Sequence, residues 1–254
     1  MASNAARPTV EELILKAEAM KLDSDGVRHA FEHPSAPKFA DQTSSWLPDS
    51  DSVHAKLLDS LASFLGDEGR VLDLGAGTGR LTRLVLDRYL NCSVVAADYS
   101  TAMRSVAAEQ LERYGARVEL VDLDMFSTSW PSEFTGFDVV VSGFAIHHGR
   151  NSDDYRLLYE RIGDALRSGG LFINLDHVEG EDRKQTIANA EGWRDFLDES
   201  GFVESDKFIL GSYAEDTPIA MSEHIRLLED VGFGEVENLW QKMIFGLYRA
   251  VKAG

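Results

Sequence analysis

The 254-residue chain has one cysteine, Cys92, six prolines, and only 25 lysines and arginines against 43 aspartates and glutamates. A single thiol excludes an intrachain disulfide and a cysteine-built metal cluster, and it fits a reducing compartment. The shortage of cations leaves a formal net charge of -18. Such a field repels phosphate backbones and anionic lipid headgroups, so neither a nucleic acid nor a membrane is expected as a partner. No uncharged apolar run approaches the roughly 18 residues that a membrane span needs. The opening stretch from Met1 to Pro8 has no apolar segment of the kind that a secretory signal carries. Together these absences predict a cytoplasmic protein.

What is present is a globular pattern, with 44% apolar residues, enough for a packed core. Residues 1 to about 65 read as a helical N-terminal cap. Thr9 and Glu12 have capping-box spacing ahead of Val10, Leu13, Ile14 and Ala17 at helical period. A second helix is expected from about Ser52, with Val53, Leu57, Leu61 and Leu65 on one stripe and Gly66 as its stop. The polar stretch between them, with His33, Pro34, Pro37, Trp46 and Pro48, reads as loop or short helix.

From Val71 onward, short apolar runs alternate with amphipathic helices. The runs begin at Val71, Val94, Val118, Asp138 and Leu171. This alternation implies right-handed crossovers and a doubly wound parallel α/β sheet over residues 66–254. Residues 178 to 220 break the rhythm and are expected to form an inserted helical lid. Trp46, Trp193, Phe208 and Tyr213 could wall a ligand there or simply fill the core of the cover. A helix capped by Ser222 should follow, then strands from Val236 to Trp240 and from Met243 to Val251. Only Gln241 and Lys242 separate these last runs, too few for a crossover, so the closing pair should be antiparallel.

The chemistry concentrates at strand ends. Asp73-Leu74-Gly75-Ala76-Gly77-Thr78-Gly79 lies where the first strand turns into a helix. Glycines there allow close backbone approach and leave N–H groups open to a ligand. Asp98 ends the second strand, placed to accept a ribose, and Asp124 follows the third, within reach of an adenine amino group. A nicotinamide dehydrogenase uses a similar loop, but Gly-x-Gly-x-Gly is not its spacing. A carboxylate ahead of the loop suits an ammonium group better than a pyrophosphate.

These residues, with Phe137-Asp138-Val139-Val140-Val141-Ser142 and the tail from Leu227-Leu228-Glu229-Asp230-Val231-Gly232-Phe233, resemble the class I S-adenosylmethionine-dependent methyltransferases over about residues 55 to 254. The resemblance implies a Rossmann-like seven-stranded sheet in the order 3-2-1-4-5-7-6 with strand 7 reversed. It implies S-adenosyl-L-methionine as cofactor, with S-adenosyl-L-homocysteine as product. In the family's pattern Asp73, Gly75 and Gly77, with Ala76 between them, face the methionine part. Asp98, with Tyr99 beside it, faces the ribose, and Asp124 and Met125 the adenine. Ser142 and Phe144 line the methyl and carboxylate region.

His147 and His148 follow the fourth strand and His177 the fifth, at the sheet edge where ligands bind, so each is a candidate general base. The same histidines with Asp176 could ligate a metal, but no His-x-x-x-His spacing supports this and no metal is expected. The expected activity is methyl transfer to oxygen, nitrogen or carbon of a small-molecule acceptor, by in-line displacement. The Phe144-Ala145-Ile146-His147-His148 segment also resembles the branch containing carboxy-S-adenosylmethionine synthases, which keeps that reaction as an alternative. A non-catalytic cofactor-binding protein is a third reading. A homodimer is the expected assembly.

Overall fold

The computed structural model describes residues 7–33, 43–66 and 68–254. Expectations for residues 1–6, and for Pro34 and Pro37, lie outside the described residues. At the N-terminal end, α1 (Val10–Ala19) starts on the Thr9–Glu12 capping box read from the sequence. It is followed by α2 (Ser24–Glu32), the single turn α3 (Thr43–Trp46) and α4 (Ser50–Leu61). The stripe of α4 buries Val53, Leu57 and Leu61, but the helix ends at Leu61 rather than running to Gly66.

The sheet then builds from β1 (Arg70–Leu74), α5 (Arg80–Arg88), β2 (Ser93–Asp98), α6 (Thr101–Leu111), β3 (Val118–Asp122), β4 (Phe137–Gly143), α7 (Ser152–Ala165) and β5 (Leu166–His177). The Ser100 hydroxyl caps α6 by accepting from the Met103 N–H. Two helices follow β5, α8 (Arg183–Glu199) and α9 (Ser205–Glu215). The chain closes with α10 (Met221–Asp230), β6 (Phe233–Lys242) and β7 (Phe245–Lys252). The strand order is 3-2-1-4-5-7-6, with β7 antiparallel to both β5 and β6. Two expectations need correction. Ser222 does not cap α10, because Ala220 holds the N-cap position and the Ser222 hydroxyl bonds Glu181 instead. The closing turn falls at Met243, which has φ 55°, and not at Gln241-Lys242, which extend β6.

Apolar cores cover both faces of the sheet. One joins Val71, Val139, Ile173 and Leu247 to α1, α4, α5, α8 and α9. The other joins Leu72, Val140 and Phe172 to α7 and α10. Strand alternation sends successive side chains to opposite faces, so residues at the ends of β4 and β5 reach both. Their carboxyl ends, beside that of β1, form the crevice where strand order reverses, the usual ligand position in open α/β sheets. Among the described residues no helix is long and apolar enough to cross a membrane.

Candidate active site

The loop from β1 to α5 holds Gly75, Gly77 and Gly79 at φ +68°, +55° and +83°, left-handed values that side chains rarely adopt. At Gly75 a Cβ would lie 2.2 Å from Ala145 Cβ and 2.9 Å from the Met125 methyl, so only glycine fits. At Gly77 a Cβ would meet nothing within 4 Å, while its N–H is taken by Asp98 Oδ2. Beneath the loop Asp73 is 1% exposed. Its Oδ2 accepts from the Thr82 hydroxyl at 2.6 Å, while Oδ1 is buried with no hydrogen-bond partner. Burial pushes this carboxyl up to about 7.

A cavity of about 770 Å³ opens over these groups, within the size range of small-molecule sites. Its floor includes Asp73, Gly75, Ala76, Gly77, Phe144, His147, His148 and His177, and Phe31, Trp46, Leu57 and Phe208 lie over it. Phe144 takes φ 57°, an uncommon value for an aromatic residue. Its ring meets Trp46 edge-on with centroids 4.8 Å apart. Trp193 stays in the core of the cover, fully buried, with its Nε1 donating to the Trp46 carbonyl at 2.9 Å.

Asp98, Tyr99, Asp124, Met125 and Ser142 stand outside the cavity wall. Each Asp98 oxygen accepts one backbone N–H, from Gly77 and from Ser100, at 2.8 Å. The end of α2 lies across this side, with the Ser100 hydroxyl donating to the Phe31 carbonyl and the Thr101 N–H to Glu32. Asp124 accepts from the Phe126 N–H at 3.0 Å. Ser142 does not reach the expected methyl region. It is fully buried and its hydroxyl donates to the Leu74 carbonyl at 2.8 Å.

The three histidines converge but differ. His147 Nδ1 bonds Asp176, and its Nε2 lies 3.3 Å from Asp216 Oδ1. Burial opposes a charge on this ring, but the carboxylates of Asp216 and Asp176 outweigh it and push the pKa up to about 10. With both nitrogens engaged, His147 is an imidazolium clamped between two carboxylates. His148 is driven the other way, to about 3, by burial and by the charge on His147. His177 presents its Nδ1 to Asp216 Oδ2 at 2.6 Å, which leaves the Nε2 lone pair available. Asp216 is held well below the usual carboxylate range, because His147 and His177 outweigh the cost of its burial. Asp176 is fixed by the N–H groups of Ile146, His147 and His177 at 2.8 to 3.2 Å.

Asp216 is the residue that sequence reasoning missed. It follows α9 in the inserted segment, and the run Asp216-Thr217-Pro218 reads only as a helix ending before proline. Donor atoms of His147, His177 and Asp216 lie within 4.8 Å of one another, near enough to share a metal ion. However, the two rings stack 22° from parallel with centroids 4.7 Å apart. In-plane lone pairs on stacked rings run side by side instead of converging on one ion.

A family model described as a methyltransferase domain matches residues 71–170. A carboxy-S-adenosyl-L-methionine synthase from Nautilia profundicola is 24% identical over 77% of this chain and 82% of its own length. One from Helicobacter hepaticus is 25% identical over 89% of this chain and 96% of its own. Among solved structures, the S-adenosylmethionine-dependent methyltransferase SibL superposes with a TM-score of 0.66, at 17% identity over 99% of this chain and 71% of that one. PigF with bound S-adenosylhomocysteine gives 0.69, at 17% identity over 95% of this chain and 69% of that one. These matches set the dehydrogenase reading aside, and with the strand order and the glycine loop they identify the cofactor as S-adenosylmethionine. Residues 71–170 carry a methyltransferase domain, set in a sheet with the strand order of the class I S-adenosylmethionine-dependent methyltransferase fold.

Proposed function

We propose that this transferase methylates a small acceptor in the cavity and that His177 removes the acceptor's proton. S-adenosylmethionine, when bound, supplies an activated methyl carbon on a sulfonium. Asp73 fits the cofactor's ammonium group, since one of its buried oxygens has no partner within the protein. Gly75, Ala76 and Gly77 give the close approach that the methionine part needs. Asp98 keeps lone pairs for ribose hydroxyls, Tyr99 flanks it, and Asp124 and Met125 border the adenine side. Phe144 and Trp46 exclude water from the acceptor end, which strengthens every charge interaction there.

The observation that carries the reading is the Asp216–His177 pair at the cavity wall. A carboxylate on Nδ1 fixes the tautomer and supports the positive charge that forms when Nε2 takes a proton. His147 serves by holding Asp216 ionised and in place. The N-terminal helices and residues 178 to 220 form one cover over the acceptor. The test is incubation with methyl-labelled cofactor and a panel of hydroxyl- and amine-bearing small molecules. His177→Ala should lower turnover by about 10²–10⁴ while leaving cofactor affinity near wild type. Unchanged turnover would remove His177 from the reaction.

The second reading is carboxy-S-adenosylmethionine synthesis, and the sequence relatives favour it. Arg80 and Lys207 also reach the cavity wall, where cations could hold an anionic co-substrate. The same incubations separate the readings by the mass of the cofactor product, either S-adenosylhomocysteine or a cofactor heavier by a carboxyl group. Cofactor binding with neither product would leave the non-catalytic reading.

A further inference from the structure

Behind the cavity a second polar chain runs through the core between the sheet and α10. Asn174 lies two residues before Asp176 on β5, so both side chains leave the same face of the strand. Its Nδ2 donates to Asp176 Oδ2 at 3.1 Å and to Tyr248 Oη at 2.8 Å. Tyr248 Oη in turn lies 3.0 Å from Tyr159 Oη and 3.2 Å from His224 Nδ1. Tyr159 Oη lies 2.6 Å from that same nitrogen. All five side chains are 1% exposed or less. Asn174 Oδ1 and His224 Nε2 have no hydrogen-bond partner.

A core has no need of such a chain. Burying polar atoms costs free energy even when most are bonded, and apolar replacements of similar shape are often neutral or stabilising. The hydrogen directions are set at the Asp176 end. Asn174 donates both amide hydrogens, so Tyr248 must accept one and pass its own hydrogen toward Tyr159 or His224. His224 is driven down to about 4 by burial, so it stays neutral at the far end of the chain. An amide with both hydrogens committed cannot turn. The direction of the donor on Asp176 Oδ2 is therefore set from the far side of the sheet.

We propose that Asn174 and Tyr248 are positioning residues that aim Asp176 at His147, and so hold the His147–Asp216–His177 arrangement in register. This inference rests on the reading of His177 as the base. The readout is the Nδ1 proton of His147 in nitrogen-15 histidine-labelled full-length protein, which needs no acceptor. In the wild type this proton should resonate far downfield and persist to alkaline pH. The groups facing the ring are Asp176 on β5, Asp216 and Glu215 at the end of α9, and the neighbouring His148 and His177.

Tyr248→Phe and Asn174→Ser should each move the signal and shift the pH of its loss by about half to one unit, the scale of one hydrogen bond. S-adenosylmethionine affinity should stay near wild type, while the buried groups left without a partner should lower the thermal midpoint by roughly 2–10 °C. An unmoved signal in a folded variant overturns the proposal. Should Tyr248→Phe fail to fold, Asn174→Ser decides alone. Turnover that survives His177→Ala while Tyr248→Phe still moves the signal would sink the base assignment and uphold the coupling. Turnover lost with an unmoved signal would do the reverse.

Discussion

Replacing Asp73 with asparagine should stabilise the cofactor-free protein at alkaline pH and weaken cofactor binding in the same variant. An unfolded chain releases this proton near 3.8, whereas burial raises the folded value to about 7. Between those values the folded protein holds a proton that the unfolded chain has lost, so stability falls as pH rises through the window. Above pH 7 the loss is complete and amounts to roughly 4 kcal/mol. Water entering the cavity would reduce it, so about 1 to 4 kcal/mol is expected. Asparagine never ionises and keeps an oxygen for the Thr82 hydroxyl. Urea unfolding at pH 5 and pH 8.5 spans about two units of that window, so wild type should lose stability across the interval and Asp73→Asn should lose less by about 1 to 3 kcal/mol. Cofactor affinity should move oppositely. A charge-assisted hydrogen bond to the ammonium group is worth about 1.5–3 kcal/mol, so the variant should bind ten- to a hundredfold more weakly. Because the cation favours ionised Asp73, wild-type binding near pH 7 should also release a proton, seen by calorimetry in buffers of different ionisation heat. Equal pH dependence of stability together with an unchanged dissociation constant would refute the reasoning.

Gly75→Ala and Gly77→Ala should separate two roles of the loop. The first forces a Cβ within 2.2 Å of Ala145 Cβ and should lower the melting temperature and abolish cofactor binding. The second meets no atom within 4 Å, so it should cost only about 1–2 kcal/mol for its left-handed backbone while still weakening the cofactor. Trp193→Ala, emptying a fully buried site and freeing the Trp46 carbonyl, should destabilise by about 3–5 kcal/mol, measured by denaturant unfolding. An effect under about 1 kcal/mol would mean that α8 is not anchored by this side chain.

The sheet was legible because β1, β2 and β4 are buried on both faces and therefore appear as unbroken apolar runs such as Val139-Val140-Val141. Even the reversed last strand could be read, from the shortness of the connection before it. The limits of β6 could not. Its alternate residues Glu235 and Glu237 face outward, which leaves no apolar run to mark where the strand begins. Ser222 looked like a cap because serine often is one, yet its hydroxyl is taken by Glu181, 41 residues earlier. The histidines could be assigned to the sheet edge from strand order alone. Ranking them needed Asp216, which lies 39 residues beyond His177 in a segment with no periodic tie to the sheet. Burial and carboxylate contacts are what separate a clamped imidazolium, a neutral ring and a candidate base, and a linear pattern carries neither.

The same segment explains why the two irregular regions belong together. Val10, Leu13 and Ile14 of α1 share a core with Leu197 and Ile209 of the insertion. Where α1 gives way to α2, the Leu22 N–H donates to the Ala214 carbonyl at 3.0 Å. Lys21 Nζ donates to the carbonyls of Tyr213 and Asp216 at 3.2 and 2.5 Å. Arg150, after β4, donates back to the Leu22 carbonyl at 2.7 Å, and the Thr217 N–H donates to the His147 carbonyl at 2.8 Å. Asp216 is thus held through its backbone by the N-terminal segment and through its side chain by histidines of the sheet edge. Covering the cavity and orienting His177 rest on one short stretch of chain, so loosening α1 would both admit water and withdraw the carboxylate that fixes the ring.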